Sequence, residues 1–261
     1  MKTSLTGGEL SVLKEKKLIV FDLDGTLAES KSGMDSQMAG LMRRLLNEKM
    51  VAVISGGRYE QFERQFLKSL KCPKSFYARL FLFPTSSTSF YRYLNGWKKV
   101  YAENLTSAEK RKILSAFKGV FAKVRYAEPS RTYGVVIEDR ETQITFSALG
   151  QKAPVGEKKK WHEKNNRLRL RMMNILKKSL PEFEVRVGGL TSIDVTRKGI
   201  DKAYGIRQIE KHLGVSRKEM LFVGDALYPG GNDYAAVKTG VDWVQVSGPG
   251  ETKKVIQKII R

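Results

Sequence analysis

Residues 17–26 read Lys17-Leu18-Ile19-Val20-Phe21-Asp22-Leu23-Asp24-Gly25-Thr26. The continuous apolar run predicts a short strand buried on both faces, as in a parallel sheet covered by helices on each side. Asp22 and Asp24 then stand two apart at the carboxyl end of that strand, the edge at which open α/β sheets bind ligands. Residues i and i+2 on an extended chain point the same way. Two carboxylates held so close raise the pKa of one or draw in a cation. Gly25 lets the chain turn away and leave the pair exposed. An Asp-Gly turn at a strand end is common in itself, so the weight of this motif depends on what stands at the neighbouring strand ends.

Working outward, Met34, Met38, Leu41 and Leu45 recur at helical spacing over 34–49, with Ser32 and Asp35 as a start signal. Val51–Ile54 is a second apolar strand, ending in Ser55-Gly56-Gly57, and a helix with Tyr59, Phe62 and Phe66 on one face follows. The same alternation returns late in the chain. A helix over 201–213 is closed by Gly214, and a strand over 220–224 ends at Asp225. A helix near 233–239 and a strand at 243–246 complete it. Alternating strands and helices predict an α/β fold with a parallel sheet.

From about 84 to 195 the pattern changes. One hairpin is predicted over 90–94 and 97–101 around Asn95-Gly96, and another over 133–139 and 142–149. Helices are expected over 107–121, opened by a Thr106/Glu109 capping box, and over 157–180, stopped by Pro181. The core is therefore interrupted by an α+β insert.

The chain has 261 residues, 41% hydrophobic and 29% charged, which suits a soluble globular protein of one large or two modest domains. No apolar run is long enough to cross a bilayer, and residues 1–17 lack the apolar centre of a secretory signal, so the expected location is cytoplasmic with no membrane partner. Cys72 is the only cysteine, which excludes an internal disulfide. The net charge is +21, and Lys152–Arg171 holds eight basic residues against two acidic ones. Those basic residues read as the solvated face of a helix. The charge raises nucleic-acid binding as a distant alternative. No zinc-finger spacing, aromatic RNP strand or basic heptad region supports it, and it ranks below catalysis.

Three further groups fall at corresponding strand or helix ends. Ser55 and the backbone of Gly56 offer a hydroxyl and N–H groups to a phosphate oxygen. Lys202, opening a helix, offers an ammonium. Gly224-Asp225 and Asn232-Asp233 add more carboxylates. One sheet edge would then gather four carboxylates, a serine and a lysine, a set suited to a hard divalent cation and a phosphate.

The ordered set D-L-D-G-T, Ser55, Lys202 and G-D…N-D resembles the four motifs of the haloacid dehalogenase superfamily. Ile144–Gly150, Gly188–Val195 and Gly224–Asp233 are similar to the eukaryotic-type phosphomannomutases of its IIB subclass. The resemblance spans the chain and implies a Rossmann-like core over 1–83 and 196–261, with a substrate-specificity cap of the C2b type over 84–195. It implies Asp22 as nucleophile, Asp24 as general acid and base, and Thr26, Ser55, Gly56 and Lys202 around the phosphoryl group. It implies a Mg2+ site of Asp22, Asp24 (through its main-chain carbonyl), Asp225 and Asp233, with Asn232 behind it. In the cap, Arg140, Ser192 and Asp194 match family positions that hold the distal phosphate and sugar, while Gln151 and Lys158 replace two arginines there. Glutamine carries no charge and lysine lacks the bidentate fork, which weakens the grip on phosphate. On that ground the expected activity is a Mg-dependent phosphatase, a phosphoric monoester hydrolase acting on a hexose phosphate or similar metabolite. Phosphomannomutase is the alternative. The resemblance also implies pairing into a homodimer through the cap.

Overall fold

The computed structural model describes residues 2–3, 10–29 and 32–260. The absence of a secretory centre in residues 1–17 rests partly on residues 4–9, which lie outside them. Packing divides the chain into two compact units, Met1–Ala102 with Asp201–Arg261, and Glu103–Ile200.

The chain lays down β1 (Lys2–Thr3), β2 (Leu18–Asp22), β3 (Met50–Ile54), β4 (Leu80–Phe83), β5 (Ser89–Tyr93) and β6 (Trp97–Ala102) in the first unit. It adds β7 (Ile137–Asp139), β8 (Ile144–Ser147), β9 (Phe183–Gly188) and β10 (Ser192–Arg197) in the second, then returns to the first with β11 (Met220–Gly224) and β12 (Asp242–Gln245). The first unit is an eight-stranded sheet in the order β1-β12-β11-β2-β3-β4-β5-β6. Strands β12, β11, β2, β3 and β4 are parallel, with antiparallel neighbours at both edges. The alternation of side chains explains why β2 is apolar throughout. Leu18 and Val20 pack with Ile206 and Ile209 of the Lys202–Leu213 helix on one face. Ile19 and Phe21 pack with Met38 and Leu45 of the Ser36–Glu48 helix and Ile256 of the Pro249–Ile259 helix on the other.

The hairpin around Asn95-Gly96 forms, but it extends this core sheet rather than the insert. Asn95 and Gly96 take positive φ of 52° and 137°, and β5 pairs antiparallel with β4. Phe90 fixes the placement, because its ring stacks on Phe83 of β4 at 4.5 Å and is 1% exposed. The packing boundaries accordingly fall after Ala102 and Ile200, later than the boundaries at 83 and 195 expected from the sequence.

The chain turns from β4 into β5 through Thr85, Ser86 and Ser87, three consecutive non-glycine residues at φ of 49°, 58° and 69°. The turn is pinned to the end of β3 by hydrogen bonds from Thr85 N to Gly57 O (2.8 Å) and Ser86 N to Ser55 O (2.9 Å). Left-handed backbone costs an L-residue about 1–2 kcal/mol, and glycine loses about 0.5–1 kcal/mol of that gain through its freer unfolded chain. Ser86→Gly is therefore expected to stabilise the protein by about 0.5–1 kcal/mol. Denaturant unfolding checks it, and a loss of stability would show that the serine side chain outweighs the strain.

The second unit is a four-stranded antiparallel sheet in the order β7-β8-β10-β9. Ile144 and Phe146 of β8 and Ile193 and Val195 of β10 pack with Ile113 and Phe117 of the Ser107–Val124 helix and Met172 and Leu176 of the Val155–Ser179 helix. The intervening residues, Thr145, Ser147, Ser192 and Asp194, fall on the opposite, polar face. The Thr106/Glu109 capping box is formed. The Val155–Ser179 helix departs from the solvated reading at two of its basic residues, since Lys158 and Arg169 are each only 4% exposed. Among the described residues, no helix is long and apolar enough to cross a membrane.

Candidate active site

Strands β11, β2 and β3 end in register, with Val223 beside Phe21 and Asp22 beside Ile54. That register brings Asp22, Ser55 and Asp225 to one edge of the sheet. Lys202 reaches the same edge from the first turn of its helix, whose N-cap Asp201 accepts from Tyr204 N at 2.8 Å. Lys202 Nζ donates to Asp22 Oδ1 at 2.6 Å and to the Ile54 carbonyl at 2.9 Å, and lies 3.3 Å from Asp233 Oδ1. Asp22, Lys202 and Asp233 are all buried.

The Lys202 helix needs Gly205 to come this close. A methyl at Gly205 would overlap Ser87 Oγ and sit 2.8 Å from Ile54 Cδ1. Gly205→Ala is expected to cost about 1–3 kcal/mol through overpacking and to displace Lys202. Thermal unfolding together with turnover reads both effects.

Asp22, Asp225 and Asp233 each place an oxygen within 4.8 Å of the other two. Asp233 Oδ2 accepts from Ala226 N at 3.2 Å, whereas Oδ1 makes no hydrogen bond and lies in the ion pair with Lys202. Burial pushes the Asp22 carboxyl well above the usual carboxylate range; Lys202 pulls it back and Asp233 adds to the rise. Burial and then Asp233 lift Asp225 to about 6. Burial alone would lower the Lys202 ammonium, but Asp22 and Asp233 outweigh it and hold it above its ordinary value. Three carboxylates facing one ammonium leave an excess of negative charge that protons or a dication must offset. The donors are all hard oxygens and one is buried without a hydrogen bond, so the cluster fits a hard divalent cation.

Ser55 lies at the end of β3, 2% exposed, with its Oγ accepting from Gly57 N at 3.2 Å. Gly56 beside it is partly exposed, and Thr26 is buried with no hydrogen bond to its Oγ1. Asn232 is exposed, unlike Asp233 next to it. Asp24 is not part of the three-carboxylate group. Its carboxylate is turned to the 59–70 helix, where it accepts from Gln61 Nε2 at 2.7 Å and Gln65 Nε2 at 3.2 Å. Neither glutamine is signalled by the motifs; the helical spacing of 61 and 65 is the only trace of them.

In the second unit, Arg140 donates through Nε to Glu138 at 2.7 Å and through its terminal nitrogen to Gln151 Oε1 at 3.0 Å. Lys158 Nζ donates to the Gln151 carbonyl at 3.2 Å. Arg140, Gln151 and Lys158 are thus brought together. Asp194 accepts from Thr145 Oγ1 at 2.7 Å, and Ser192 precedes it on the same face of β10. Arg169 is a buried cation the sequence reading left on the solvated face. It donates to the Gly189 carbonyl at 2.7 Å. Its position three and seven residues before Met172 and Leu176 on the buried stripe was the signal.

A family model described as eukaryotic phosphomannomutase matches residues 38–261. The phosphomannomutase of Encephalitozoon cuniculi is 27% identical, covering 95% of this chain and 94% of its own length. That of Saccharomyces cerevisiae is 24% identical, covering 94% and 95%. Among solved structures, a haloacid dehalogenase-like hydrolase from Bacteroides thetaiotaomicron superposes with a TM-score of 0.62 at 16% identity, covering 94% of this chain and 99% of that one. The IMP-nucleotidase of Plasmodium falciparum superposes at 0.69 and 17% identity, covering 97% and 70%. At such identities the structural likeness speaks to the fold, a haloacid dehalogenase-type core with an inserted α+β unit. The preference for a sugar-phosphate phosphatase is overturned, because the family match and the full-length relatives carry mutase names. Arg140 and Lys158 both converge on Gln151, and Arg140 is also paired with Glu138.

Proposed function

Because the chain belongs to the eukaryotic phosphomannomutase family, we propose that it interconverts mannose 1-phosphate and mannose 6-phosphate through a phosphoryl group carried on Asp22. The observation that carries this reading is the buried Asp22–Lys202 pair, 2.6 Å apart at the edge of the sheet beside Asp225 and Asp233. A carboxylate positioned by an ammonium is what an in-line attack on phosphorus requires. The sugar acceptor comes from the relatives.

Asp22, Asp225 and Asp233 would hold a magnesium ion, with the Asp24 main-chain carbonyl as a fourth candidate ligand. When bound, the ion neutralises the carboxylates and the transferring phosphoryl oxygens. The rest is done by the chain itself. The Asp22 carboxylate oxygen forms a bond to phosphorus while the ester oxygen of the donor leaves. Asp24 gives that oxygen its proton, and takes one back from the sugar hydroxyl that next attacks the aspartyl-phosphate. Lys202 offsets the charge on Asp22 and the phosphoryl group. Ser55, the Gly56 backbone and the Thr26 hydroxyl are assigned to the non-bridging oxygens. Arg140, Gln151 and Lys158 are assigned to the distal phosphate, and Ser192 and Asp194 to the sugar hydroxyls.

Purified protein with magnesium and mannose 1-phosphate, with and without a hexose 1,6-bisphosphate activator, tests the reading. The expected product is mannose 6-phosphate, formed only with the activator. Free phosphate without isomerisation would overturn it.

A further inference from the structure

A mutase that stores a phosphoryl group on an aspartate has a competing reaction to suppress. The same base that deprotonates a sugar hydroxyl can deprotonate water. The water oxygen then forms the bond to phosphorus, the Asp22–phosphorus bond breaks, and phosphate leaves. Something must govern where the Asp24 carboxylate stands between sugar visits.

Two residues outside the assigned machinery, Gln61 and Gln65, meet at Asp24, and a third, Gly57, lies against Gln61. Gln61 Nε2 donates to Oδ2 at 2.7 Å and Gln65 Nε2 donates to Oδ1 at 3.2 Å, so both carboxylate oxygens are engaged from the 59–70 helix. Gln65 is 4% exposed, and its amide also reaches the Ser32 carbonyl at 3.0 Å while its own Oε1 is buried with no hydrogen bond. An acceptor left unsatisfied inside the protein costs free energy, which the two hydrogen bonds donated by the same amide must offset. The helix runs as α-helix over Tyr59–Phe62 and as π-helix over Glu63–Leu67, the segment that carries Gln65. Single π turns inside α-helices occur frequently at functional sites. Gly57 completes the set. A methyl there would overlap Gln61 Oε1 and lie 3.0 Å from Nε2, so the bare backbone at Gly57 is what lets the Gln61 amide lie where it does. Asp24 meanwhile stands outside the group formed by Asp22, Asp225 and Asp233.

We propose that Gln61 and Gln65, seated by Gly57, form an amide clamp that holds the Asp24 carboxylate turned away from the phosphoryl site and so biases transfer towards sugar over water. The clamp rests on the mutase reading above. Gln61 and Gln65 act through Asp24 and are positioning residues. Two charge-assisted hydrogen bonds are enough to hold a carboxylate in one of two orientations.

The test is the partition of the phosphoryl group that glucose 1,6-bisphosphate places on Asp22, with mannose 1-phosphate present as acceptor, between mannose 6-phosphate formed and free phosphate released, measured for the full chain with magnesium. Gln61→Met and Gln65→Met keep the side-chain shape and remove the donors. Each is expected to raise the ratio of hydrolysis to transfer about tenfold, the effect of losing one charge-assisted hydrogen bond. Gly57→Ala should act in the same direction by displacing the Gln61 amide, with both glutamines intact. Thermal melts accompany each variant. A purely structural role would lower both branches together and leave the ratio where it was, which would overturn the clamp. If one glutamine variant fails to fold, the other and Gly57→Ala decide the question on the same ratio. A wild-type protein that transfers to sugar, with variants that partition as it does, sinks the clamp alone. A wild type with neither branch sinks the mutase reading and the clamp with it.

Discussion

Asp22→Asn is expected to lower turnover of mannose 1-phosphate by about 10⁴-fold or more, the scale seen when an enzyme loses its nucleophile. The same variant should be at least as stable as the parent in metal-free buffer at neutral pH. The two expectations have one cause. Asp22 is a buried carboxylate beside Asp233 and Asp225, and among the described residues Lys202 is the cation that opposes them. Asparagine still offers an oxygen to Lys202 but removes one negative charge from the cluster. Relief of that repulsion is worth about 1 kcal/mol or more. The pH dependence follows from the raised Asp22 carboxyl. Below the unfolded value, 3.8, the carboxyl is protonated in both states and the variant has no advantage. As pH rises through the raised folded value, the parent loses stability that the asparagine variant keeps. Melting curves in EDTA at pH 4 and pH 7.5, beside a turnover assay, check both halves. Retention of a tenth of parental turnover would move the nucleophile elsewhere.

What could be read in advance divides along physical lines. The β2 strand and its two aspartates were legible because a run buried on both faces leaves a continuous apolar signature, and the carboxylates end it abruptly. Lys202, Asp225 and Asp233 were legible only as a set, each being an ordinary cap or loop residue alone. β4 was the hardest strand to see. Leu80–Phe83 is four buried residues with no alternation, which periodicity cannot tell from a helical turn. Missing it detached the Asn95-Gly96 hairpin from the core, although Phe90 belongs against Phe83. Gln61 and Gln65 were illegible for a different reason. Amides on a helix carry no charge signal, and their role depends on a π turn and on the space over Gly57, neither of which a sequence displays. Lys158 and Arg169 misled in the opposite sense. A basic-rich helix reads as solvated, yet these two side chains are buried with their cations on the carbonyls of Gln151 and Gly189.

Lys202→Met should produce the largest loss of stability of any single change at the site. The methionine fills a similar volume, so the effect isolates the charge. Lys202 is the ammonium that lies against both Asp22 and Asp233, and its removal leaves three carboxylates, two of them buried, with no counter-charge among the described residues. Breaking a buried ion pair by deleting one partner costs about 3–5 kcal/mol. The loss should be greatest in metal-free protein near neutral pH and should shrink on acidification, because protonating the carboxyls removes the charge that Lys202 offset. Saturating magnesium should restore part of it, since a ligand that binds only the folded state stabilises by mass action. Turnover should fall by about 10²–10³-fold even with the metal present, the usual effect of removing one electrostatic contact to a developing oxyanion. The double variant with Asp22→Asn separates charge from packing. If charge is the cause, the second substitution recovers stability that the first lost, and the two effects are strongly non-additive. If they simply add, the carboxyls of the metal-free cluster already carry the protons that balance it. Lys202 would then serve the phosphoryl group alone.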